Sequence, residues 1–159
     1  MQSPFTVERL TIDRLSSVAE VERECFADPW SEKALKMLTE EPNVGFFATC
    51  DGRVVGYGGM QCVLDEGQIT DIAVIPSYRR RGIAAALLAA LIDYARRAGL
   101  CVIYLEVRES NLPALSLYRD RFGFEVLGVR RGFYSHPRED AFNMRLLIRE
   151  SNNARDDFG

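Results

Sequence analysis

The stretch 77-SYRRRGIAAALL-88 sets Arg79, Arg80 and Arg81 directly ahead of Gly82 and a run of small and apolar residues. Upstream, 67-GQITDIAVI-75 reads as a strand that Pro76 ends. Downstream, Ile83, Leu87, Leu91 and Tyr94 recur at the period of an amphipathic helix that stops at Gly99. The cations therefore stand at a strand-to-helix junction. Gly82 has no side chain to obstruct a ligand, and the first N–H groups of a helix lack intrahelical partners. With the positive end of the helix dipole and nearby guanidinium groups, such a junction suits a phosphate or pyrophosphate. A plain basic surface turn accounts for the same residues, and neither a Gly-Lys-Ser/Thr P-loop nor G-x-G-x-x-G spacing is present.

Working outward, a strand is expected over Phe5–Thr11, followed by a helix from about Arg14 to Cys25 on which Leu15, Val18, Val21, Glu22 and Cys25 keep helical spacing. Ser31 is placed to cap a second helix through about Leu38. "VGFFATC" and "RVVGYGGMQCV" flank Asp51-Gly52, a hairpin signal, and "GQITDIAVI" joins that antiparallel group. Beyond Gly99 come a strand "CVIYLEV", a helix "LPALSLYRDRFGF" with Pro113 in its first turn, and two strands near Glu125–Arg130 and Ala141–Ile148 joined by "GFYSHPRED". The order is β-α-α-β-β-β-α-β-α-β-β, an α/β arrangement of a mixed sheet carrying helices. One domain is expected over residues 1–149, with a flexible polar tail over 150–159.

Composition excludes several classes. The 159 residues, 18.0 kDa, are 47% hydrophobic and 27% charged, enough for one real core. Twenty basic against 23 acidic residues give a net charge of −3 and a pI near 5.3, which argues against a general nucleic-acid binder. No apolar run has the length of a membrane span, and "MQSPFTVERL" lacks a signal peptide's apolar stretch, so a cytoplasmic protein with no membrane association is expected. Cys25, Cys50, Cys62 and Cys101 form no C-x-x-C pair and read as buried thiols. The single histidine, His136, stands beside a proline in a turn, so neither a metal site nor a Ser/His/Asp triad is expected. Proton transfer, if the protein performs it, falls to a carboxylate or a phenol.

Arg79-Arg80-Arg81-Gly82-Ile83-Ala84 resembles the R/Q-x-x-G-x-G/A signature of GNAT N-acetyltransferases. "DPWS", "ITDIAVIPSYRRRGIA", "YLEVRESNLPALSLYRDRFGF" and "REDAFNM", in that order over roughly Thr6–Leu147, are together similar to the RimI-like ribosomal-protein alanine N-acetyltransferases. The resemblance implies a GNAT fold, a mostly antiparallel sheet with a splayed parallel pair of strands. It implies acetyl-CoA as cosubstrate, with the backbone of Ile72, Ala73 and Val74 on the pantetheine arm and Arg79, Arg80, Arg81, Gly82, Ile83, Ala84 and Ala85 around the pyrophosphate. It makes Asn111 a cofactor contact, Glu106 the general base and Tyr118 the general acid, and it suggests Trp30 and Tyr134 at the peptide entrance.

Read without the resemblance, each residue has a plainer role. Glu106 alternates with Tyr104 and Arg108 as a solvated or salt-bridged strand residue, Tyr118 packs at helical spacing from Ala114, Leu115 and Phe122, Asn111 caps a helix, and Trp30 and Tyr134 simply pack. Ala84 stands where the family often has glycine, and Phe133 where it commonly has tyrosine; the connection Ser135–Arg138 looks short. The expected function is transfer of acetyl from acetyl-CoA to the N-terminal amine of a protein, in the family a ribosomal protein beginning with alanine. Transfer to a lysine or small amine, a silent acetyl-CoA-binding module and an RNA-binding domain are the alternatives. The sequence leaves the oligomeric state open, and a monomer suffices.

Overall fold

The computed structural model describes residues 3–148; the expected tail over 150–159 lies outside them. The strands are β1 (Phe5–Arg9), β2 (Val44–Cys50), β3 (Arg53–Val63), β4 (Glu66–Val74), β5 (Val102–Arg108), β6 (Glu125–Ser135) and β7 (Arg138–Leu147). The helices are α1 (Leu15–Cys25), α2 (Glu32–Leu35), α3 (Ile83–Ala98) and α4 (Leu112–Leu115). The strand order is β1-β2-β3-β4-β5-β7-β6, and the β4–β5 pair is parallel. That is the expected mixed α/β sheet of the GNAT type. Among the described residues no helix is long and apolar enough to cross a membrane.

The chain forms two compact units. One runs to Cys62 and resumes over Ile69–Asp93; the other takes Val63–Gln68 and the chain from Tyr94 onward. In the first unit β1, β2 and β3 form an antiparallel meander. Asp51 and Gly52 turn between β2 and β3 with both φ angles positive, 52° and 77°, as a two-residue hairpin turn requires. Ser31 caps α2, its hydroxyl accepting from Ala34 N at 3.0 Å, and Lys36–Thr39 continues as a 3-10 turn. Leu15, Val18, Leu35, Leu38, Phe47, Val55, Ile75, Ile83 and Leu87 share one buried core. The bare backbone of β3 admits its neighbours: a Cβ on Gly56 would lie 2.8 Å from the Ala73 carbonyl oxygen.

In the second unit β5, β7 and β6 are antiparallel, with Glu106 opposite Asn143. β4 pairs with β5 in parallel over Glu66–Gln68, with Gln68 opposite Tyr104. Two sequence expectations need correction. The last strands do not stop at Arg130 and begin at Ala141; they run on to Ser135 and from Arg138, leaving His136–Pro137 as the connection. A register shift between Arg130 and Tyr134 accommodates Gly132, whose N–H donates to Asp140 Oδ1 at 2.7 Å. The helix after Asn111 is α-helical only to Leu115 and widens into a π turn over Ser116–Arg121.

Gly56→Ala places its methyl against backbone rather than a movable side-chain tip, so unfolding free energy should fall by about 1–3 kcal/mol. Gly128→Ala, where a Cβ meets nothing within 4 Å, should stay within about 0.5 kcal/mol of the parent in the same urea titrations.

Candidate functional site

The strand-to-helix junction is built in the first unit. After Val74 the chain makes a 3-10 turn over Pro76–Tyr78, passes through Arg80 at φ 65° and Gly82 at φ 83°, and enters α3. A Cβ at Gly82 would meet nothing within 4 Å, so the loop is open above the glycine. The bond from Ala86 N to the Gly82 carbonyl, 3.0 Å, begins the helical ladder and leaves the N–H groups of residues 83–85 ahead of it. Ile83 and Ala85 are buried and anchor this first turn. The arginines divide their work. Arg79 turns back, its Nε donating to the Val74 carbonyl at 2.9 Å. Arg81 lies over the Tyr78 ring at 4.6 Å and donates to the Ser77 carbonyl at 3.4 Å, while Tyr78 donates to Asp51 at 3.0 Å. Two of the three cations thus shape the loop itself, and Arg80 is exposed.

The backbone of β4 leading into this loop has a definite polarity. Ile75 N donates to the Val55 carbonyl at 2.9 Å, which faces Ile75 toward β3. Alternation along an antiparallel pair then turns Ala73 toward β3 and turns the amides and carbonyls of Ile72 and Val74 to the opposite edge. The Val74 carbonyl confirms this, since it accepts from Arg79 and, at 3.5 Å, from the Cys25 thiol.

The second unit carries the titratable candidates. Glu106 has both carboxylate oxygens bound: Gln68 Nε2 donates to Oε2 at 2.9 Å and Arg130 to Oε1 at 2.6 Å. Its side chain is 11% exposed, against 56% for Arg130. Arg108, two residues on, donates to Glu139 at 3.2 Å and to the Pro137 and His136 carbonyls at 2.8 and 3.1 Å, with the Tyr134 ring 4.2 Å beneath it. Asn111 caps α4, its Oδ1 accepting from Ala114 N at 3.2 Å. Tyr118 is buried inside the π turn, its ring 5.8 Å from that of Phe124. A π turn admits an extra residue into the helix and is frequent at functional sites.

Trp30 packs partly against the first unit's core, and its backbone N–H donates to Glu22 Oε2 at 3.0 Å. Glu22 is the buried charged residue of that unit, 1% exposed, and also accepts from the Tyr57 hydroxyl. Asp71 on β4 completes the cluster. Burial, then the charge and hydrogen bond of Glu22, push its carboxyl up to about 8, with the Tyr57 hydrogen bond opposing in part. Burial and the charges of Asp71 and Glu22 likewise hold the Tyr57 phenol protonated. Sequence reasoning missed this cluster, as it missed Gln68 and Arg130. One signal was present: Glu22 keeps the spacing of the apolar face of α1, where a carboxylate requires a buried partner. The thiols of Cys50 and Cys62 are buried, and those of Cys25 and Cys101 half-buried.

A mixed sheet with a parallel β4–β5 pair, in which β4 runs into a glycine-bearing loop and a helix N-terminus, is the architecture of an acyltransferase of the GNAT type. The acetyltransferase (GNAT) family model matches residues 15–124, and the chain belongs to that family. It is 37% identical over 145 residues to the [ribosomal protein bS18]-alanine N-acetyltransferase of Escherichia coli K12, covering 90% of this chain and 97% of that one. It is also 37% identical to the N-alpha-acetyltransferase RimI of Mycobacterium tuberculosis, over 89% of this chain and 92% of that one. The crystal structure of the Escherichia coli ribosomal-protein-S18-alanine N-acetyltransferase superposes with a TM-score of 0.84 at 36% identity, covering 93% and 96% of the two chains. The family resemblance and the fold read from the sequence are thereby borne out.

The Asp71 cluster sets a pH dependence of stability. The folded carboxyl holds its proton up to about 8, while the unfolded one releases it near 3.8. The stabilisation is complete below about pH 4 and is lost as pH rises toward 8. Asp71→Asn keeps a neutral donor to Glu22, so urea melts between about pH 5 and about pH 8.5 should show the parent losing stability relative to the variant as pH rises.

Proposed function

We propose that this protein transfers the acetyl group of acetyl-CoA to the α-amine of a protein N-terminus, with an alanine-first ribosomal protein as substrate, the activity for which its relatives are named. The observation that carries the reading is the end of β4, where the backbone of Ile72 and Val74 turns away from β3 and the strand runs into a loop in which a Cβ on Gly82 would meet nothing within 4 Å. The GNAT family uses acetyl-CoA, an activated thioester whose acetyl carbon is open to attack by a neutral amine.

The residues present suit such a donor. The outward amide and carbonyl of Ile72 and the amide of Val74 would bind the pantetheine arm as an added strand would, with Ala73 fixing that edge from the β3 side. The N–H groups of Gly82, Ile83, Ala84 and Ala85 would hold the pyrophosphate, with the Arg80 charge nearby and Arg79 and Arg81 bracing the loop. Asn111, its oxygen committed to the cap, would turn its amide nitrogen to the cofactor. Glu106 would take the ammonium proton directly or through a water, the backbone near Ala73 would polarise the thioester carbonyl, and Tyr118 would hand a proton to the departing sulfur. Trp30 and Tyr134 would border the peptide entrance. The chain would act as one domain over residues 1–149, in the cytoplasm, without nucleic acid or membrane.

An α-amine is the easier substrate for a lone carboxylate. With a pKa near 7.7–8.0, roughly a tenth of it is neutral at pH 7, against fewer than about one in a thousand for lysine at about 10.4. Mass spectrometry should show an alanine-first peptide acetylated at its terminus and no transfer once that terminus is blocked. Lysine acetylation in the blocked peptide would remove the α-amine assignment. Tyr118→Phe should bind CoA normally and turn over about 10- to 1000-fold more slowly. Gly82→Val, strained at φ 83° and filling the space above the loop, should cost about 1 kcal/mol or more of CoA affinity by calorimetry while leaving the fold's circular dichroism unchanged.

A further inference from the structure

Glu106 is held from two sides by partners of different character. Gln68 is supplied by the opening of β4, where Gln68 stands in register with Tyr104 of β5. Arg130 comes from β6, two strands from β5 across β7. That separation is roughly 10 Å, which a guanidinium on a long stem spans and a short side chain does not. Among the described residues Arg130 is held by one carboxylate oxygen and by the Phe133 ring, 5.4 Å from its guanidinium carbon. Arg108, by contrast, grips one carboxylate, two carbonyls and a ring. Ion pairs with one partner more than half exposed are weak, and a second cation exchanges into them at little cost. The substrate is itself such a cation, because most of an α-amine is protonated near neutral pH.

We propose that Arg130 occupies, at Glu106 Oε1, the place that the substrate's ammonium group takes on binding, and that Gln68 keeps the carboxylate aimed while the two cations exchange. The inference rests on Glu106 receiving the amine, as proposed above. Arg130 then acts as a placeholder: it compensates the enclosed carboxylate in the resting protein and swings to solvent when a cationic terminus arrives. A neutral, already acetylated terminus cannot displace it, so the exchange favours substrate over product at the same carboxylate.

Calorimetry with the CoA-saturated protein, in which no acetyl can be transferred, reads the exchange directly. Arg130→Met should bind a free alanine-first peptide roughly two- to tenfold more tightly than the parent, the range that one weak ion pair supports. Arg130→Lys should restore the parent affinity, and the Met variant should show no gain for the same peptide with an acetylated terminus. Equal or weaker binding of the free peptide by Arg130→Met, absence of measurable binding in either protein, or an equal gain for the blocked peptide would overturn the proposal. Turnover of the parent on the free peptide is measured separately. A binding gain without α-acetylation sinks the functional reading alone, and normal acetylation without the gain sinks the placeholder alone.

Discussion

Everything that matters in the first unit depends on one constraint: the end of β4 is bonded to β3 through Ile75 N and the Val55 carbonyl, which turns the backbone of Ile72 and Val74 away from β3. Exposed amides and carbonyls on a strand edge invite pairing with whatever extended chain arrives. The fold secures the end of that edge with two donors, the Arg79 guanidinium and the Cys25 thiol, both on the Val74 carbonyl. It secures the other side with Gly56, whose missing side chain lets β3 lie close to Ala73. These neighbours hold the end of the strand in place.

Beneath the same strand lies a different kind of fastening. Glu22, Tyr57 and Asp71 come from α1, β3 and β4 and share hydrogen bonds in a space where one charge is tolerable and two are not. Trp30's amide joins through Glu22, so the loop after α1 is tied to the cluster that holds β4. Here a polar cluster spends desolvation energy to fix the mutual placement of three elements, which apolar packing alone leaves adjustable.

Much of this was legible in the sequence for definite reasons. Asp51-Gly52 tolerates positive φ at both positions, Ser31 has a hydroxyl one turn ahead of Ala34 N, and Pro76 cannot extend a ladder, so those boundaries are local chemistry. The junction loop was legible because glycine and helix N-terminus are adjacent in the chain. The partners of Glu106 were not, since Gln68 and Arg130 stand 38 and 24 residues away and only the strand order places them beside it. The longer final hairpin was hidden because its strands continue past a register shift at Gly132 and turn in the two-residue connection His136–Pro137, which no local residue pattern marks. The π turn at Tyr118 was hidden too, because an extra residue per turn leaves no compositional mark.

The grip of Arg108 on the β6–β7 tip has a consequence for how this protein can diversify. Two of its bonds go to the main-chain carbonyls of His136 and Pro137, groups that every amino acid supplies. The tip is therefore moored by something mutation cannot remove, and its outward side chains are free to drift while the strand bearing Glu106 keeps its geometry. Recognition of new partners and preservation of chemistry become separable in inheritance, with one arginine marking the line between them.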